Sequence, residues 1–232
     1  MIDSNKTYIL NPDYILLGDV NRIVLTYKNH NSTVETITSF IHPMHALLLS
    51  LFDGRKNLGE ILDTAITLYD ISKEEALSLV SLFIENEEQV SLLYDGIKFG
   101  FPQYVLVNNR NNIIRDDINY SSLAVTQPYD FQSKRLNKVR RLLFVLNMQC
   151  KTDCIYCYAD RATKHTCMPL QKVLDLIDEM KAYGIIGVDI SGGDIFAYKD
   201  WYPVLKKLYS LGYDPYISTK IPITKQDIDK LR

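Results

Sequence analysis

The first hundred residues alternate short apolar runs with turn-forming residues. Tyr8–Leu10, Tyr14–Gly18 and Arg22–Tyr27 read as strands separated by Asn11-Pro12-Asp13 and Asp19-Val20-Asn21, and Val34–Ile37 continues the series. The apolar spacing then becomes helical. Between His42 and Phe52, Ala46, Leu47, Leu48, Leu49, Leu51 and Phe52 predict a buried helix that stops near Asp53-Gly54. Leu58, Ile61, Leu62, Ala65, Ile66 and Tyr69 predict a second helix capped by Asn57. Ser72-Lys73-Glu74-Glu75 has the form of a capping box, and Leu77, Leu79, Val80, Phe83 and Ile84 follow it on a third helix. Val90–Tyr94 and Ile97–Phe101, joined by Asp95-Gly96, make a hairpin. Three helices and a terminal hairpin outline an α+β domain of winged-helix form over residues 1–105.

Residues 106–138 lose this patterning. Asn108-Asn109-Arg110-Asn111-Asn112 and Asp116-Asp117 are polar and turn-prone, as in a linker. The basic run Lys134, Arg135, Lys138, Arg140 and Arg141 fits a solvated helix end. From residue 139 to 232 strands and helices alternate, which is the α/β pattern. Leu142–Met148 is nearly all apolar, as in a strand buried on both faces. Pro169 opens a helix striped by Val173, Leu174, Ile177 and Met180. Gly187–Ser191 is a second strand, Trp201, Val204, Leu205 and Leu208 mark a second helix, and Asp214–Thr219 is a third strand before a helix capped at Thr224. Such units are right-handed and parallel. Three are too few to close a barrel, so the sequence reads as stopping part-way through a fold.

Composition narrows the class. The chain has 232 residues, 47% of them apolar and 23% charged, which fits a globular protein rather than a disordered or disulfide-dense one. Its formal net charge is −2, so a strongly basic nucleic-acid binder is excluded, and the 16 tyrosines lack basic interleaving. The start, MIDSNKTYIL, has no signal-peptide pattern, and no apolar run reaches the length of a membrane span, so a cytoplasmic location is expected. His42 and His45 lie one helical turn apart, a spacing that could bind a metal, but they read as ordinary helix-start residues.

Cysteine usage is the anomaly. All four, Cys150, Cys154, Cys157 and Cys167, fall within one short stretch, which argues for a metal site rather than a disulfide framework. The first three follow the Leu142–Met148 strand directly, where parallel α/β folds place their active-site loops. Two chemistries fit. A closed zinc site takes four ligands, the fourth being Cys167 or His165. A 4Fe-4S cluster on three thiolates keeps one iron open for chemistry.

The Cys150-Lys151-Thr152-Asp153-Cys154-Ile155-Tyr156-Cys157 segment, continued by Tyr158-Ala159, resembles the signature of radical S-adenosylmethionine enzymes. Ser191-Gly192-Gly193-Asp194, at the end of the next strand, resembles that family's Gly-Gly-Glu motif, with Asp194 in place of Glu. The resemblance covers about residues 140–232 and implies the first three units of a partial (β/α)6 TIM-like barrel. It implies that Cys150, Cys154 and Cys157 ligate a 4Fe-4S cluster whose fourth iron is chelated by S-adenosyl-L-methionine, and that reductive cleavage gives a 5′-deoxyadenosyl radical. By the same resemblance the backbones of Ser191, Gly192, Gly193 and Asp194 meet the methionine amino end, Tyr156 faces the adenine, and Ser218, Thr219 and Lys220 approach the methionine moiety. Cys167 has no place in that motif.

The first domain resembles the PqqD-like recognition element of enzymes that modify ribosomally made peptides (RiPP maturases of the SPASM type), through Leu49-Ser50-Leu51-Phe52-Asp53-Gly54 and Leu58-Gly59-Glu60-Ile61. A DNA-binding winged helix predicts a basic recognition helix, yet residues 73–87 carry four glutamates and one lysine. The implied partners are the leader of a precursor peptide and an electron donor such as flavodoxin or ferredoxin, with neither nucleic acid nor membrane. A leader is expected to add to the edge strand at Val34 and Thr36, with Ala76, Leu79, Val80 and Phe83 offering side-chain pockets. The chain alone is expected to be incomplete for turnover. The rival readings are a leader-binding module without catalysis and a zinc-stabilised adaptor.

Overall fold

The computed structural model describes residues 3–28, 39–132, 135–157 and 167–231. Val34–Ile37, with the edge positions Val34 and Thr36, lies outside the described residues, as do Tyr158, Ala159 and His165. The chain divides into two compact units, residues 1–138 and 139–232.

In the first unit, β1 (Tyr8–Leu10) opens the chain, and β2 (Tyr14–Gly18), β3 (Ile23–Tyr27) and β4 (Ser39–Ile41) form an antiparallel sheet with β3 central. Helix α1 (Pro43–Ser50) is shorter than its apolar run, because His42 caps it and Leu51 closes it. Helices α2 (Leu58–Tyr69) and α3 (Lys73–Ser81) both begin with complete capping boxes, Asn57 with Glu60 and Ser72 with Glu75. The hairpin of β5 (Val90–Tyr94) and β6 (Ile97–Phe101) turns on Asp95 and Gly96, both at positive φ, as a tight two-residue turn requires. One apolar core joins these elements, with Leu25, Ile41, Leu49, Phe52, Ile61, Val80, Phe83 and Phe101 fully enclosed.

The expected linker, 106–138, instead packs into this unit. Its first residues form β7 (Leu106–Asn108), antiparallel to β1, and Ile118 and Leu123 join the core. Two buried arginines explain why so polar a segment is held. The Arg115 guanidinium donates to the carbonyls of Leu10, Asn11 and Tyr14 and pairs with Asp117. The fully buried Arg22 pairs with Asp19, whose carboxylate accepts the backbone N–H groups of Asn137 and Lys138. Burial works against the Asp117 carboxylate, yet hydrogen bonds from Arg115 and Lys28 outweigh it and hold its pKa down to about 2.

In the second unit, β8 (Arg141–Val145), α4 (Leu170–Ala182) and β9 (Gly187–Ser191) form a parallel pair joined across a helix, followed by α5 (Trp201–Ser210) and α6 (Lys225–Leu231). Arg140 and Arg141 do not end a helix. Arg140 is buried, and Arg141 begins β8 and pairs with Asp189. Two strand expectations are corrected. The core of this unit takes in Leu146 and Phe144, while Leu143 on the opposite face of β8 is 64% exposed, so within the unit the strand is covered on one face. Residues 214–219 make a single parallel bridge, Tyr216 to Asp189, rather than a strand. Pro215 has no N–H to give, and the Lys220 N–H turns away to Asp194.

Candidate functional site

The cysteine loop and the turn after β9 are held together by backbone. The Gly193 N–H donates to the Asn147 carbonyl at 2.7 Å, and the Asp194 N–H to that of Gln149 at 2.9 Å. These bonds bring the two segments so close that side chains do not fit between them. A Cβ on Gly193 would lie 2.2 Å from the Gln149 carbonyl oxygen, and one on Gly192, at φ +99°, 2.6 Å from that of Asn147. The glycine pair is therefore required by close approach and, at Gly192, by the positive φ as well.

Two buried polar side chains complete the joint. Asn147 donates from Nδ2 to the Asp194 carbonyl and accepts the Gln149 N–H on Oδ1 at 2.7 Å. Asp194 accepts the Phe196 N–H on Oδ1, and on Oδ2 both the Thr219 hydroxyl at 2.6 Å and the Lys220 N–H at 3.0 Å. One carboxylate thus ties the turn after β9 to the segment at 219–220. A buried carboxylate persists when hydrogen-bonded in this way.

Above this joint opens a cleft of about 260 Å³. Cys150, Cys154 and Cys157 line it, with Tyr156, Ser191–Asp194, Ser218 and Lys220. The sequence-predicted residues therefore converge, with one exception: Thr219 lies behind the lining and acts through Asp194. The loop bends where the Cys157 N–H meets the Cys154 carbonyl at 3.0 Å, and the Thr152 hydroxyl lies 3.7 Å from the Cys154 sulfur. Tyr156 is 75% exposed, and the neighbouring Cys154 pushes its phenol pKa up. The three sulfurs share the cleft but are not drawn into a ligand set: among the described residues no three His, Cys, Asp or Glu side chains converge as metal ligands. Cys167 packs against the core of its unit and is absent from the cleft lining.

Asn147 was not singled out by sequence reasoning. Its signal was available: it is the polar residue that interrupts the apolar run Leu142–Met148, three positions before Cys150. The expected peptide pocket on α3 is corrected. Ala76, Val80 and Phe83 are buried in the core of the first unit, and Leu79 packs partly buried against it. A domain this small needs those apolar side chains inside. His42 and His45 form no metal pair among the described residues. His42 caps α1 by accepting the Met44 N–H on Nδ1, and His45 is buried with its Nδ1 lacking a hydrogen-bond partner among the described residues. Burial, with His42 nearby, pulls the His45 pKa down to about 4.

No described helix is long and apolar enough to cross a membrane. No protein-family model matches the chain, and no curated protein matches its sequence. Solved structures do match. Streptococcus suis SuiB bound to the precursor peptide SuiA aligns at a TM-score of 0.53 and 16% identity, over 97% of this chain and 45% of that one. SuiB bound to S-adenosylmethionine aligns at 0.52 and 17% identity, over 97% and 45%. SuiB itself aligns at 0.52 and 18% identity, over 96% and 44%. The chain therefore spans just under half the length of these structures, and at such identities what it shares with them is the fold.

Proposed function

We propose that this chain is part of a radical S-adenosylmethionine enzyme that modifies a ribosomally made precursor peptide. In this reading residues 139–232 are the first units of a partial barrel, and the first unit contains a PqqD-like recognition element for the leader. The observation that carries it is the shared cleft: the three cysteines of the CxxxCxxC segment open onto the same space as the Gly-Gly-Asp turn and Lys220. The SuiB structures with S-adenosylmethionine and with a precursor peptide support the same cofactor and partner class for this chain.

The donor set fits the cluster. Three thiolates suit iron–sulfur ligation, and the packing of the partly buried Cys167 against the core, off the cleft lining, argues against a closed four-cysteine zinc site. When bound, a 4Fe-4S cluster supplies the electron that cleaves S-adenosylmethionine to methionine and a 5′-deoxyadenosyl radical. The chain's own residues bind and orient. The N–H groups of Gly193 and Asp194 are committed to the cysteine loop, so this turn would meet the methionine ammonium through its carbonyls. The Asp194 carboxylate is likewise spent on Thr219 and Lys220, so its work is to hold the cleft rather than touch the ligand. The Lys220 ammonium, on the cleft lining, would pair with the methionine carboxylate, and the Tyr156 backbone would face the adenine. A flavodoxin or ferredoxin would deliver the electron.

Anaerobic reconstitution with iron and sulfide tests the proposal. About four irons with matching acid-labile sulfide per chain, and an electron-paramagnetic signal that shifts on adding S-adenosylmethionine, are expected. Stoichiometric zinc without sulfide, unmoved by S-adenosylmethionine, would overturn it in favour of the adaptor.

A further inference from the structure

We propose that the cleft between the start of α1 and the β5–β6 hairpin is a site for an organic cation; resting on the peptide reading above, its occupant is a lysine or arginine side chain of the precursor peptide. The cleft, about 840 Å³, is lined wholly by residues of the first unit, which holds none of the cysteines. Five rings line it, those of His42, Tyr94, Phe99, Tyr129 and Phe131, and Asp95 is the charged side chain among its lining residues. Among the described residues, no lysine or arginine lines it.

The rings gather around His42, whose centroid lies 4.7 Å from that of Tyr94, 5.1 Å from Tyr129 and 5.7 Å from Phe131, while Phe99 and Phe131 are 4.9 Å apart. They meet tilted or edge-on, at interplanar angles from 43° to 85°. A stacked pair hides two ring faces and an edge-on pair hides one; Phe99 is buried, so the ring faces within a guest's reach are those of the exposed Tyr94 and the half-buried Tyr129 and Phe131. Such faces attract cations, most of all beside a carboxylate.

His42 does not oppose that charge. It caps α1 through Nδ1, and burial draws its pKa below the ordinary imidazole value despite the pull of Asp95, so it is neutral at pH 7. Tyr94 and Ile97 stay exposed at the mouth. They offer apolar surface for the alkyl stem of a long basic side chain while its head reaches the rings and Asp95.

The test uses the whole 232-residue chain. Choline and 3,3-dimethylbutan-1-ol have the same shape and differ in charge. Each is titrated while the His42 and Tyr129 ring resonances are followed. Choline is expected to bind at least about fivefold more tightly than the alcohol, and Asp95→Asn to cost choline about threefold to fivefold while leaving the alcohol unchanged. Asn suits the Asp95-Gly96 turn, so the hairpin is preserved. Equal binding of the two probes, or indifference of choline to Asp95→Asn, overturns the cation site. In a second arm, the precursor encoded beside the gene is titrated with and without choline. Competition supports the peptide occupant, and precursor binding that choline does not touch overturns it. A precursor that does not bind at all counts against the peptide-modifying function, while the choline arm still decides the cation site.

Discussion

Two segments of this chain are polar, rich in turns and poor in regular structure: residues 106–138 and the cysteine loop at 147–157. In the first, Asn109 and Arg115 turn inward and the backbone closes on a buried pair from outside the segment, while most of its other polar side chains face solvent. Arg115 is closed by three carbonyls and Asp117, and Asp19 by Arg22 and two backbone N–H groups. In the second, the backbone beneath is anchored through Asn147 and Gln149, but Cys150, Cys154 and Cys157 line an open cleft, where the Thr152 hydroxyl neighbours Cys154. Buried polar groups that answer each other build structure, whereas donors gathered at a cleft without a partner for each are available for chemistry. By that criterion the first segment is scaffold and the second is a site.

The comparison breaks most sharply at the cysteines. Changing Cys150, Cys154 or Cys157 singly to Ala is expected to abolish cluster assembly, read as iron and sulfide per chain after anaerobic reconstitution, with the melting of the first unit unmoved. Cys167→Ala should keep full iron. Iron loss on Cys167→Ala as complete as on Cys154→Ala would revive the four-cysteine site. In the other segment, Arg115→Ala is expected to cost the first unit about 2–4 kcal/mol, because it leaves the buried carbonyls of Leu10 and Tyr14 without their donor, while Asp117 keeps Lys28. Urea denaturation measures this. A linker arginine would cost nearly nothing.

What the sequence made legible follows the same division. Capping boxes, the Asp95-Gly96 hairpin and the strand–helix alternation are local signals, and their elements formed near the expected places except the third strand at 214–219. The converging cysteines and glycines were legible because metal ligation and close backbone approach each demand particular residue types. Residues 106–138 misled because asparagine and aspartate serve turns and buried networks alike, and only tertiary placement shows that Arg115 meets the carbonyls of β1 and β2. The α3 pocket failed for a related reason: Ala76, Val80 and Phe83 have the same spacing whether they face a groove or a core. The aromatic cleft was illegible, because its rings come from three segments at least thirty residues apart.

An acid titration separates the two units. His45 titrates near 6.5 when unfolded and at about 4 when folded. Its folded pKa is depressed, so its stabilising effect is complete above pH 6.5 and is lost progressively as pH falls toward 4. The first unit should lose roughly 3 kcal/mol across that window. His45→Phe, whose ring retains the packing against Phe99 and Phe101, should flatten the dependence. An unchanged slope in His45→Phe would assign the acid sensitivity elsewhere.

The smallest effect sharpens the comparison most, because it falls where scaffold and site meet. Asn147 is spent inward, like Arg115, yet what it fixes is the cleft: one amide holds the Gln149 N–H before the first cysteine and the Asp194 carbonyl after the glycine pair. Asn147→Ala leaves the buried Asp194 carbonyl and the part-buried Gln149 N–H without that partner, at a cost of about 1–3 kcal/mol to the second unit. The backbone bonds from Gly193 and Asp194 to the loop survive, so the cysteines remain in reach and iron content should hold. The relative placement of cysteine loop and glycine turn should loosen, and S-adenosylmethionine affinity, measured by equilibrium dialysis on the reconstituted protein, should fall about tenfold, the equivalent of roughly 1.4 kcal/mol. A purely structural residue would lower the melting temperature and leave the affinity of the folded fraction untouched. That outcome would place Asn147 with the scaffold alone; loss of affinity with iron retained would make it the positioning residue of the cleft.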